Sequence, residues 1–195
     1  MSNIITDEIC YILTDIGDLR NKKVVFSINK DLDSLEDVIK TENKDLVYRE
    51  TEETLELISR DQIKLPRNCY GMFTGLNIKE LDLSNLDWSK AKILDEMFQE
   101  LHVHKISLGD IHKCEPTSVN YMFDGIEANS VINISSMNLD KAYGIETMFT
   151  EDINFLILPF KYFYNIKFNR NGEDVNINNF LFDEECIDIK EDRVV

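Results

Sequence analysis

Apolar residues recur along the middle of the chain with a period of about 25 residues. The dipeptide Met-Phe marks this period, at Met72-Phe73, Met97-Phe98, Met122-Phe123 and Met148-Phe149. The pairs begin at 72, 97, 122 and 148, in steps of 25, 25 and 26 residues. A fixed period of this size is typical of stacked similar units that bury a continuous core. We therefore interpret residues 66–159 as a repeat array with the Met-Phe pairs in its core.

Two shorter periodicities alternate inside each unit. Apolar residues two apart, as in Leu81-x-Leu83 and Ile106-x-Leu108, are typical of a short strand with one buried face. Leu94, Met97-Phe98 and Leu101 follow the spacing of three and four that lines one side of a helix. The sequence therefore predicts one short strand and one short helix in every unit of about 25 residues.

The stretch Ile78-x-x-Leu81-x-Leu83-x-x-Leu86 fits the opening of a leucine-rich repeat. More narrowly, the letters LDLSNLDWS at 81–89, followed by Leu94-x-x-Met97-Phe98, resemble the BspA-like leucine-rich repeats of bacterial and some protozoan proteins. The resemblance covers about residues 69–158. It implies an α/β fold built as a short leucine-rich-repeat solenoid. Many members of that family look like surface or secreted adhesins.

The two ends of the chain do not repeat, and each is expected to close the array. Residues 1–65 predict a helix over 5–16, a strand over 23–28 and two further helices, over 32–39 and 53–60. This N-terminal segment is either an α/β cap or a small module. At the other end, Asn171-Gly172 between alternating apolar runs predicts a β-hairpin over 160–182. We assign 160–195 as this capping hairpin and an acidic tail.

The net charge of −16 on 195 residues changes the picture of possible partners. A strongly negative field repels phosphate backbones and anionic membranes and attracts basic surfaces. We therefore expect a protein partner with a basic surface, and neither direct nucleic-acid binding nor membrane binding. The N-terminus is acidic where a signal peptide is basic, which favours a cytoplasmic protein of a bacterial host cell or a phage-infected cell.

Candidate catalytic chemistry is weak throughout the chain. His102 and His104 bracket the predicted core residue Val103 and should point outward, so His102, His104, His112 and Cys114 do not predict a metal site. The serines at recurring strand positions belong to the repeat and not to a catalytic triad. No phosphate-binding glycine motif occurs. We predict no catalytic residues, no metal, no cofactor and no enzyme activity.

Trp88 and three acidic segments are the candidate protein-binding residues. Trp88 follows a predicted strand at a turn, where an indole is either a packed corner or an exposed anchor. The acidic candidates are Asp31, Asp33, Glu36, Asp37, Glu50, Glu52, Glu53, Glu56, Asp183, Glu184 and Glu185.

These observations favour a non-enzymatic, acidic protein-binding module. One alternative is an inhibitor that mimics nucleic acid and occupies a DNA- or RNA-binding enzyme, of the anti-restriction or anti-CRISPR type that phages and mobile elements encode. A second alternative, a surface adhesin, follows from the family resemblance alone.

Overall fold

The fold is described from a computed structural model. It describes the backbone of residues 2–128, 131–148, 156–158, 169–170, 173–174 and 180–182, and side chains within 7–128 and 131–148. The regular elements are α1 (Ser2–Asp15), β1 (Lys23–Ile28), β2 (Ile39–Lys40), β3 (Leu46–Glu50), β4 (Thr54–Ser59), β5 (Asn77–Asp82), β6 (His102–Ser107), β7 (Glu127–Ala128), β8 (Ile132–Asn133), β9 (Leu156–Leu158), β10 (Asn169–Arg170), β11 (Glu173–Asp174) and β12 (Phe180–Phe182). Two 3-10 turns cover Leu32–Ser34 and Ile145–Thr147.

A mixed seven-stranded sheet organises the described part of the chain, in the order β2-β3-β4-β1-β5-β6-β7. From β4 to β7 all neighbouring strands are parallel, whereas β2 and β3 are antiparallel additions at one edge. The α1 helix packs its buried residues Ile9 and Leu13 into the same core as Val24 and Leu57 of the sheet. A smaller cluster of Leu32, Val47 and Ile58 forms apart from this core.

The 25-residue period becomes a lateral register between neighbouring units. Ile78 of β5 pairs with Val103 of β6, and Val103 pairs with Ala128 of β7. Phe73, Phe98 and Phe123 stack in the same way, with ring centroids 5.5 and 5.4 Å apart and ring planes within 5°. All three phenylalanines are fully buried, which confirms that the Met-Phe pairs belong to the core. Phe149 of the fourth pair lies outside the described residues.

The predicted short helix of each unit is wrong, because the Met-Phe segments are turns. In the unit around Met97, Glu96 and Glu100 have φ angles of 57° and 54°, in the left-handed region, which no right-handed helix can include. The backbone N–H of Phe98 donates to the carbonyl of Met122 in the next unit, at 2.9 Å. A helix would direct that N–H to the residue four positions back in the same unit. The backbone hydrogen bonds of these turns therefore join neighbouring units.

The predicted leucine-rich-repeat solenoid is also wrong. α1 is the single α-helix among the described residues, and β1 to β7 form one mixed sheet that does not have the form of a solenoid. The sequence periodicity could not indicate that β1, from the non-repeating N-terminal segment, inserts between β4 and β5. The hydrophobic core runs without interruption from Ile9 to Met148, across the predicted domain boundary at residue 65.

The elements predicted for the N-terminal segment are partly confirmed and partly wrong. The helix over 5–16 and the strand over 23–28 are confirmed by α1 and β1. The helix predicted over 32–39 is reduced to the 3-10 turn, and the helix predicted over 53–60 is instead the strand β4. In β4, Leu55 and Leu57 enter the main core while Ile58 joins the smaller cluster. Because β4 carries apolar residues on both of its faces, its sequence lacks the simple alternation of a strand and resembles the apolar pattern of a helix.

At the C-terminal end, β10 and β11 form an antiparallel pair on either side of residues 171–172. β12 does not close this hairpin; it pairs in parallel with β9, which pairs in turn with β8. The rest of the predicted hairpin over 160–182, and the acidic tail after it, lie outside the described residues.

Candidate functional site

The predicted acidic segments occupy different parts of the sheet. The Asp33 carboxylate lies 3.4 Å from Nη2 of Arg60, just beyond the carboxyl end of β4. Glu52 and Glu53 lie in the turn before the amino end of β4. The strand between them is about 17 Å long, since a strand rises about 3.3 Å per residue. One small patch of a partner therefore cannot contact both groups.

Arg49 brings two other candidates together. Its Nη2 donates to the backbone carbonyl of Glu36 at 3.3 Å, and its Nη1 lies 3.5 Å from the Glu56 carboxylate. Glu50 pairs with Lys22 at 3.2 Å. Within the described residues, no ion pair forms at the exposed carboxylates of Asp31, Glu36, Asp37, Glu52 and Glu53. Asp183, Glu184 and Glu185 lie outside the described residues.

Trp88 is a packed corner and not an exposed anchor. Its side chain is 1% exposed, and its indole Nε1 donates to the backbone carbonyl of Leu108 at 3.1 Å. A buried indole with its one donor satisfied stabilises the contact between two units. It is not available to a partner in this structure, so the prediction that Trp88 binds a partner is not supported.

The histidines and cysteines have local partners or are buried. His102 Nδ1 lies 2.8 Å from the Glu127 carboxylate, and His112 hydrogen-bonds to Asp110. Burial raises the pKa of the Cys69 and Cys114 thiols to about 12. Among the described residues, no group of three or more His, Cys, Asp or Glu side chains is placed to hold a metal ion.

A large cleft lies between α1 and the antiparallel edge of the sheet. We call it the α1–β2 cleft; its volume is about 660 Å³. The helix contributes a stripe at positions 8, 11, 12 and 15, which share one side because of their three- and four-residue spacing, and residue 16 follows directly after the helix. The remaining lining residues are Ile39, Lys40, Thr41, Glu42, Asn43 and Tyr48.

Glu8 fixes the geometry of the α1–β2 cleft. Its Oε1 accepts hydrogen bonds from the backbone N–H groups of Glu42 at 2.8 Å and Asn43 at 3.3 Å. These bonds tie the helix to the segment that follows β2. The other carboxylate oxygen, Oε2, is buried and has no hydrogen-bond partner among the described residues. A buried acceptor without a donor costs roughly 1–3 kcal/mol, and more when it is charged.

The cleft is both acidic and apolar. Glu8, Asp15 and Glu42 contribute three carboxylates, against the single ammonium group of Lys40. Tyr11 and Ile39 are 66% and 48% exposed. Burial raises the pKa of the Tyr48 hydroxyl, and the negative charges of Glu50 and Asp15 raise it further. Glu50 and Asp15 therefore place negative charge near the Tyr48 hydroxyl.

Sequence reasoning missed this cleft. The helix over 5–16 was predicted, but its residues Glu8, Tyr11 and Asp15 carried no signal that distinguished them from an ordinary solvated face. The opposite wall comes from β2, β3 and the segment between them. Apart from Ile39, at the end of the helix predicted over 32–39, no element was predicted for its residues, so the second wall could not be expected from the sequence.

No protein-family model, curated protein or solved structure matches this chain. The resemblance to BspA-like repeats therefore stays a prediction. Across the described residues, every helix is too short or too polar to cross a membrane.

Proposed function

We propose that the protein is a non-enzymatic module that binds a partner protein with a basic surface. The observation that carries the proposal is a set of exposed carboxylates on the N-terminal half of the sheet, at Asp31, Glu36, Asp37, Glu52 and Glu53, with no ion pair among the described residues. These five carboxylates are part of the protein's net charge of −16.

Charge of this kind speeds encounter with a basic surface and disfavours acidic partners. Several other carboxylates are neutralised within the protein, including Asp82 by Lys23 and Asp61 by Lys30. The negative charge of these five unpaired carboxylates is therefore available to a partner. Substitutions at exposed positions that break no ion pair usually change stability by less than about 0.5 kcal/mol, so removing these charges should affect binding more than folding.

The test is affinity capture from extracts of the cells that make the protein, followed by affinity measurement with the purified captured protein. The test variant carries Asp31→Asn, Glu36→Gln, Asp37→Asn, Glu52→Gln and Glu53→Gln, which changes the net charge from −16 to −16 + 5 = −11. The control variant has the same net charge and carries Asp18→Asn, Asp110→Asn, Glu115→Gln, Glu127→Gln and Glu146→Gln.

We expect a basic partner whose affinity falls with added salt, because screening weakens contacts between exposed charges. The test variant should lose at least about tenfold in affinity, as expected for the loss of charged hydrogen bonds, and the control variant should lose less. Equal loss in both variants, or a captured protein that is acidic and insensitive to salt, would contradict the proposal. Displacement of DNA or RNA from the partner would identify nucleic-acid mimicry as the mode of binding.

A further inference from the structure

We infer that the α1–β2 cleft binds a lysine or arginine side chain of the basic partner. This inference rests on the proposed function and gives it a specific site. The cleft is the one place in the described residues where a buried carboxylate oxygen without a hydrogen-bond partner, Oε2 of Glu8, coincides with a large concave surface.

The Glu8 carboxylate is held in a fixed orientation at the cleft. Its Oε1 is occupied by two backbone N–H groups, from Glu42 and Asn43, so the orientation of the carboxylate is fixed before any ligand arrives. A ligand that donates to Oε2 would restore the hydrogen bond that the buried oxygen lacks. Ammonium and guanidinium groups carry donors and positive charge together, and their bonds to carboxylates are about twice as strong as neutral ones.

The walls of the α1–β2 cleft combine negative charge with aromatic and apolar side chains. Asp15 and Glu42 add negative charge, and Lys40 is the one lining residue that opposes it. The rings of Tyr11 and Tyr48 also line the cleft, and an aromatic face attracts a cation within about 6 Å of its centre. The apolar side chains of Ile12, Ile16 and Ile39 can cover the aliphatic stem of a lysine or arginine.

The α1–β2 cleft has the size of a ligand pocket. Ligand pockets commonly measure about 300–1,000 Å³, and the cleft volume of about 660 Å³ falls in this range. The volume of the cleft exceeds the volume of one lysine or arginine side chain. The exposed Tyr11 and Ile39 at the cleft therefore offer contact area to a neighbouring apolar residue of the partner. The expected recognition element is a basic residue next to an apolar one on a partner surface.

The test uses small probes of defined charge and the intact protein. Butylguanidinium and butylammonium represent the arginine and lysine ends, and butylurea is the neutral analogue of butylguanidinium with almost the same shape. Each is titrated into 15N-labelled protein while backbone amide shifts are recorded. We expect millimolar binding of both cations, with the largest shifts within residues 8–16 and 39–48, and little response to butylurea.

Glu8→Gln is the decisive variant, because its amide oxygen can still accept the two backbone hydrogen bonds while the negative charge is removed. It should weaken butylguanidinium binding at least about tenfold, the scale of a charged hydrogen bond. Glu146→Gln, at an exposed site on the repeats, is the matched control and should leave binding unchanged. A well-dispersed amide spectrum establishes that each variant is folded.

Shifts that fall outside the cleft, equal binding of butylurea, or unchanged binding by Glu8→Gln would overturn the inference. The proposed function is judged separately by the captured partner. If Glu8→Gln binds that partner normally while the five-residue variant does not, the cleft assignment is wrong and the proposed function stands. If the five-residue variant binds as well as its control, the proposed function fails whatever the probes do.

Discussion

Two residues in each of the first three repeats hold the backbone in the left-handed region. The residue before Met has φ of 60° at Gly71, 57° at Glu96 and 54° at Tyr121. The residue three after Met has φ of 67° at Gly75, 54° at Glu100 and 63° at Gly125. Glycine adopts this conformation freely, whereas other residues pay about 1–2 kcal/mol for it. The repeats therefore tolerate strain at Glu96, Glu100 and Tyr121.

Glu100 allows this strain to be measured. Its side chain is exposed and forms no hydrogen bond or ion pair with a described residue. Glu100→Gly should be more stable than Glu100→Ala by about 1 kcal/mol, since alanine retains the left-handed strain and glycine releases it. Urea unfolding of the two variants measures the difference. Equal stability, or greater stability of the alanine variant, would show that position 100 is not strained.

The roles of some single residues could be predicted from the sequence, and those of others could not. The Met-Phe pairs could be assigned to the core because their period fixes them relative to many neighbours. Trp88 could not be assigned, because its burial depends on the carbonyl of Leu108 in the next unit. Glu8 could not be identified either, since its role comes from backbone N–H groups 34 and 35 residues away.

At the scale of elements, the period was more informative than the local pattern. The 25-residue step correctly pairs Ile78 with Val103 and stacks Phe73 on Phe98. The spacing of three and four around each Met-Phe pair predicted helices, yet the same spacing is compatible with a compact turn that buries the same residues. Positive φ angles distinguish the turn from the helix. The sequence does not indicate these angles at Glu96 and Glu100, because neither residue is glycine.

The phenylalanine stack should be the main stabilising contact between units. Phe98 is fully buried between Phe73 and Phe123. Phe98→Ala should lower the free energy of unfolding by about 3–5 kcal/mol, because it removes a large apolar side chain and leaves a cavity. Urea unfolding followed by circular dichroism measures this loss.

Leucine substitutions separate the stacking contribution from loss of volume. Phe98→Leu retains most of the apolar volume but loses two ring contacts, each worth about 0.5–1.5 kcal/mol beyond buried area. Phe73 stacks on a single described ring, so Phe73→Leu should cost less than Phe98→Leu. Equal losses at the two positions would mean that ring stacking contributes nothing beyond packing.

At the scale of the whole molecule, the N-terminal segment and the repeats share one sheet and one core. β1 hydrogen-bonds to β4 on one side and to β5 on the other. Composition and charge could be read directly from the sequence, but this strand insertion could not, because nothing in β1 marks which strands flank it. The same insertion places the antiparallel edge next to α1, and with it the acidic cleft.

The acidity that favours a basic partner should also destabilise the protein alone. With a net charge of −16, exposed carboxylates repel one another in the folded state more than in the expanded unfolded chain. Raising sodium chloride from roughly 10 to 150 mM shortens the screening length from about 30 to 8 Å, so the melting temperature should rise. The five-residue variant at Asp31, Glu36, Asp37, Glu52 and Glu53 should show a smaller rise, measured by differential scanning calorimetry.

Potassium chloride should act like sodium chloride if screening is the cause. A melting temperature that falls with salt would mean that the ion pairs of Arg49, Arg60 and Lys22 outweigh the repulsion.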